Sequence, residues 1–196
     1  QLPMRRFDTY LPYVPSQKEV WDFIQSFSNL KHKAVISLMY SSGLRVREVC
    51  ALRYEDISRS SMRIHICHSK ARSDRYAILS QKALDILTQY WFRAGKPRGF
   101  LFPNRNDPQR PMAAYTVNQF IFAKETELGM EHRFTCHTFR HAFGTHLYEN
   151  GTDLLTIKAL LGHKSLNSTT IYVHLASNGT ASAVSPFDRM GGVLHE

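Results

Sequence analysis

Residues 137–172, near the C-terminus, read HTFRHAFGTHLYENGTDLLTIKALLGHKSLNSTTIY, and they gather side chains suited to phosphate chemistry. His137 and Arg140 stand three apart, so on a helix they share a face. His163 follows the Leu160-Leu161-Gly162 run, and Tyr172 lies nine residues beyond it. Arginine offers a planar, permanently charged fork for phosphate oxygens. Histidine moves protons near neutral pH. A tyrosine hydroxyl is a nucleophile once its proton has somewhere to go. Spacing alone also leaves each of these residues an ordinary structural role.

The elements that must position them follow from periodicity and punctuation. Residues 1–15, with Pro3, Pro12 and Pro15, read as an extended lead-in. Ser16 and Glu19 form a capping-box signal before Val20, Phe23, Ile24 and Phe27 at helical spacing. A second helix fits Lys33 to Ser41 and stops at Gly43; a third starts near Val46. Met62, Ile64 and Ile66 alternate with polar positions, a half-buried strand. Residues 68–74 read as a turn and Arg75 to Leu79 as the partner strand, so Lys70 and Arg72 sit near a hairpin tip. Ser80 caps a helix ending before Pro97, and Tyr115 to Leu128 form another, ended by Gly129. Phe120, Phe122, Phe134, Phe139 and Phe143 are expected in the core. Three short helices follow: one packing Phe139, Phe143 and Leu147; one from Thr152 or Asp153 to Gly162; one from Ser165 or Asn167 carrying Tyr172. The expected class is α+β, mostly helical, with a small antiparallel hairpin.

Taken with Ser42-Gly43-Leu44-Arg45-Val46-Arg47-Glu48, the C-terminal stretch resembles the catalytic core of the tyrosine recombinases, the phage-integrase family. The similarity runs from about Leu11 to Leu175, and its motifs keep the family's order: first arginine, hairpin lysine, His-x-x-Arg, Leu-Gly-His, tyrosine. The resemblance implies that Arg45 and Arg140 clamp a DNA phosphate and that His163 donates to it. It implies Tyr172 as nucleophile and Lys70 as general acid, with His137 as base or part of the clamp. Glu48 matches the acidic residue bracing the site, and His141 a supporting residue. Ser69 and Ala71 stand where the family's hairpin commonly has glycines, which leaves Arg72 as a competitor to Lys70. Arg47, Arg72, Arg75 and Lys164 are read as DNA contacts. The expected domain covers residues 16–175. Residues 176–196 are small and polar before Pro186-Phe187, and with Met190 they are expected to dock on a neighbouring protomer.

A net charge of +9 and a pI near 9.6 favour a polyanionic partner; the resemblance implies that it is double-stranded DNA, held by several protomers, a tetramer when two sites are paired. Hydrophobic content of 43% supports a real core. Cys50, Cys67 and Cys136 lie far apart, which suits a reduced cytoplasm rather than a disulfide framework. No apolar run approaches a membrane span and no signal peptide is visible. The start at Gln1 suggests a fragment lacking the family's usual N-terminal DNA-binding domain. His137 and His141 have zinc-helix spacing, but Thr138 replaces the glutamate of the metalloprotease motif, so neither a metal nor any other cofactor is expected. Two rivals remain: a type IB topoisomerase, and a helix-turn-helix regulator built around Gly162.

Overall fold

Residues 11–67 and 74–175 are described by a computed structural model. Lys70, Arg72, most of the lead-in and the tail with Pro186, Phe187 and Met190 lie outside them. The first helix, α1 (Gln17–Gln25), starts where Ser16 Oγ accepts from the Glu19 amide at 3.1 Å and Glu19 accepts from the Ser16 amide at 2.7 Å. Its buried face is Val20, Phe23 and Ile24. The second, α2 (Leu30–Ser41), begins three residues before the expected Lys33, because Asn29 caps it through the His32 amide at 3.2 Å. Its consecutive buried residues, Ala34 to Met39, make it the central helix, with neighbours on several sides.

After α3 (Val46–Cys50) comes a 3-10 turn, Tyr54–Asp56, and a sheet of β1 (Ile57–Ser58), β2 (Arg63–Ile66) and β3 (Arg75–Ile78). The order is β1-β2-β3, antiparallel throughout, with Ile64 opposite Ala77 and His65 opposite Tyr76. The two-residue β1 is too short to show a period, so sequence alone reveals only the hairpin. Alternation puts Ile64, Ile66 and Ala77 inward.

The remaining helices are α4 (Gln81–Arg93), α5 (Ala114–Leu128), α6 (Cys136–Glu149), α7 (Leu154–Leu161) and α8 (Asn167–Leu175). Among the described residues this is the mostly helical α+β architecture expected, and no helix is long and apolar enough to cross a membrane. One core position was misassigned: Phe122 is exposed and lies under the Arg133 guanidinium, 4.7 Å from the ring centroid. Helical geometry turns it away from Phe120 and Ile121, which are buried. Most apolar side chains share one large core. A smaller cluster of Phe143, Ile157, Leu161 and Tyr172 seals α6, α7 and α8 together.

Candidate active site

Arg140 lies on the inner face of α6, buried, and its guanidinium is held at both ends. Nη1 donates to the Gly43 carbonyl and Nη2 to the Leu161 carbonyl, each at 2.6 Å. Leu161 is the last residue of α7, whose final carbonyls have no intrahelical partner and carry the negative end of the helix dipole. Arg75 uses the same helix end, with Nε donating to the Leu160 carbonyl at 3.1 Å. Two arginines thereby satisfy the orphan carbonyls of one helix. Gly162 makes this close approach possible: it is left-handed (φ 67°), and a Cβ there would sit 2.7 Å from Arg75 Cδ.

Glu48 sits among three arginines. It pairs with both terminal nitrogens of Arg75, with Nη2 at 3.0 Å, and accepts from the Arg45 backbone amide at 2.8 Å. Arg45 Nη1 is 3.7 Å away and Arg140 Nη1 4.0 Å. Burial alone would raise the Glu48 carboxyl, but the hydrogen bond and charge of Arg75, with help from Arg45, hold it below the usual carboxylate range. This changes one expected assignment. Arg75 was read as a DNA contact; it is buried and spent on Glu48 and α7, because β3 alternation points its side chain inward. Glu48, expected to brace the site, has its strongest contacts to Arg75 and to the Arg45 backbone. Arg45 itself remains exposed.

Tyr172 is 1% exposed, on α8, with its ring against α6 at Gly144, where any Cβ would come within 2.5 Å of the ring. The His163 ring is nearly parallel to it, with centroids 6.2 Å apart and planes 7° apart. His141 approaches from α6 at 6.2 Å, and His137 follows at 6.4 Å from His141. Burial raises the Tyr172 phenol above its ordinary value, while the charges of Arg140 and Arg45 pull the other way. Burial, then Arg140 and Arg45, push His163 down to about 4, so its imidazole is neutral at physiological pH. His163 Nδ1 lies 2.9 Å from the Thr169 hydroxyl. Arg140 is pulled down by burial and by Arg45 to about 10, still protonated near neutrality.

The fold therefore gathers Arg45, Arg140, His163 and Tyr172 from four separate stretches of chain, with Glu48 and Arg75 beneath them. His137 is exposed at the start of α6, Arg47 is exposed on α3, and Lys164 is exposed after Gly162. Sequence reading missed Thr169 and Gly144. Thr169 carries no signal of its own, whereas a glycine inside a helix costs about 1 kcal/mol against alanine and so hints at a close approach. Cationic forks around a neutral imidazole and a phenol can bind an oxyanion and attack it.

Residues 16–178 match the family model described as "Phage integrase family". A putative integrase/recombinase, y4eF, of Sinorhizobium fredii is 36% identical over 187 residues, covering 95% of this chain and 74% of that protein. A "Tyrosine recombinase" of Pseudothermotoga lettingae is 33% identical over 161 residues, covering 82% of this chain and 55% of that protein. The crystal structure of XerA recombinase superposes with a TM-score of 0.79 at 24% identity, covering 98% of this chain and 70% of that one. That likeness establishes a shared fold. The chain thus spans roughly half to three quarters of the lengths of the proteins it matches.

Proposed function

This chain belongs to the phage integrase family, and from that premise we propose that residues 16–175 are the catalytic domain of a tyrosine-type site-specific recombinase acting on double-stranded DNA. The observation that carries the reading is the convergence of Arg45, Arg140 and His163 around the Tyr172 ring. Arg45 and Arg140 hold the non-bridging oxygens of one DNA phosphate; a donor aimed where charge develops is worth on the order of 10²–10³ in rate. His163 Nδ1 stands against the Thr169 hydroxyl; in the tautomer that accepts from that hydroxyl, the neutral ring carries its proton on Nε2 and offers it to the same phosphate. Glu48 and Arg75 fix the clamp from below, and His141 supports it from α6.

Tyr172 Oη forms a bond to phosphorus while the bond to the 5′ oxygen breaks, leaving a 3′-phosphotyrosyl link. The phenol proton leaves through an imidazole of the site, His137 being that base or part of the clamp, and Lys70 protonates the departing 5′ oxygen. A 5′ hydroxyl from another strand reverses the step, so no water, metal or external energy source is consumed. Arg47, Arg72 and Lys164 contact the backbone, which carries no base information. Residues 1–15 lead in to the domain. Exchange needs two paired duplexes and hence several protomers, with residues 176–196 docking on a neighbour.

A suicide DNA substrate, whose cleaved end diffuses away, tests this. The expected result is a covalent adduct formed by the unaltered chain and lost, by at least 10³-fold, in Tyr172→Phe, with DNA affinity within about threefold and falling steeply with salt. Covalent attachment by Tyr172→Phe would discard the nucleophile. Binding that ignores salt would discard DNA as principal ligand.

A further inference from the structure

Away from the site, the outer face of the sheet carries a cluster that the reaction does not use. Asp56 ends the 3-10 turn, His65 stands on β2 and Cys67 follows that strand by one residue. His65 and Cys67 are two apart, so they share the face opposite Ile64 and Ile66. Asp56 Oδ2 accepts from the Arg53 amide at 2.8 Å, and Oδ1 lies toward His65. His65 Nδ1 is 3.3 Å from Cys67 Sγ and 3.7 Å from Asp56 Oδ1, and one donor atom from each of the three residues lies within 4.8 Å of the others.

Those separations resemble the edges of a metal tetrahedron. Zinc bonds of about 2.0 Å to nitrogen or oxygen and about 2.3 Å to sulfur place neighbouring donors roughly 3.3–3.6 Å apart. The side of the imidazole away from the cluster is also arranged as metal sites arrange it: His65 Nε2 lies 3.0 Å from Asp74 Oδ2. A carboxylate on that nitrogen fixes the tautomer and leaves Nδ1 with its lone pair toward Asp56 and Cys67. One thiolate, one carboxylate and one neutral imidazole together balance a divalent charge.

We infer that Asp56, His65 Nδ1 and Cys67 bind a zinc-class divalent cation, with Asp74 orienting the histidine. The mixed sulfur, nitrogen and oxygen set suits a borderline cation rather than magnesium or calcium, which take oxygen ligands. Cys67 is exposed, so a water completes the fourth position and the thiol can turn the short distance that closes the set. Through His65 and its Asp74 partner, the cation ties the end of β2 to the start of β3. The binding itself requires neither DNA nor the proposed reaction.

The test is titration of the whole reduced chain, without DNA, first with Co²⁺ and then with Zn²⁺ by calorimetry. One equivalent is expected to bind with a thiolate-to-cobalt absorption band, and Zn²⁺ is expected to raise the melting temperature. Cys67→Ser should abolish the band and weaken Zn²⁺ at least tenfold, His65→Gln likewise, and Asp74→Asn by 10–100-fold. Tyr172→Phe should bind as the unaltered chain does, which separates this result from the catalytic reading. Zn²⁺ affinity unchanged in Cys67→Ser, whose exposed position spares the fold, would overturn the site. So would a band that survives that substitution, or the absence of binding.

Discussion

Tyr172 keeps its proton in the free protein, because burial opposes the phenolate more than Arg140 and Arg45 favour it. Its ring is positioned by the missing side chain at Gly144, where a methyl group would come within 2.8 Å of three of the ring's atoms. Gly144→Ala should therefore destabilise the fold by about 1–3 kcal/mol, the usual cost of overpacking, and slow adduct formation at least tenfold. Urea unfolding and the suicide substrate measure the two effects. If the contact is the cause, most of the stability loss disappears when Gly144→Ala is made in a Tyr172→Ala background, the standard signature of coupled neighbours. An undiminished loss there would place the cost within α6 alone.

At the scale of elements, α7 matters more than its eight residues suggest. Its apolar face joins Phe143 and Tyr172, and its terminal carbonyls hold Arg75 and Arg140. The helix must end abruptly for those carbonyls to be available, and Gly162 ends it in the left-handed region. Gly162→Ala should cost about 1–2 kcal/mol from backbone handedness alone. It should also displace Arg75 from Glu48, since the added Cβ meets the Arg75 side chain. Denaturant midpoints report the first effect. A fall in adduct yield larger than the stability loss explains, at a temperature where the variant stays folded, reports the second.

Over the whole molecule, His32, His141, His146 and His163 are each held below the ordinary histidine value, burial being the largest cause in every case. His146 also links distant segments: the Tyr40 hydroxyl is 2.7 Å from Nδ1, and Nε2 is 2.9 Å from the Pro15 carbonyl. These rings are neutral when folded, whereas in the unfolded chain they protonate near pH 6.5. The unfolded state thus binds more protons below that value, so stability is fully present above about pH 6.5 and falls as pH drops toward 4, where His163 titrates in the native state. His163 alone should contribute on the order of 1–2 kcal/mol to that loss, discounted for its partial exposure. Urea unfolding at pH 7.5 and pH 5 checks the sign; equal stability at both would show the rings to be solvated.

Much of this architecture is local. The caps at Ser16 and Ser80, the stops at Gly129 and Gly162, and the alternation of β2 act over a few residues, so the sequence alone determines them. The order of Arg45, His137, Arg140, His163 and Tyr172 along the chain was legible for the same reason: each stands in a short motif. Direction and burial are different, because they depend on what lies across the fold. Only tertiary packing sets Glu48 and the end of α7 against Arg75, and brings Thr169 to His163. The same holds for Asp56, His65 and Cys67, which no linear spacing marks as a group. A hydrogen bond between residues 85 apart, such as Arg75 to Leu160, leaves no period or punctuation to read.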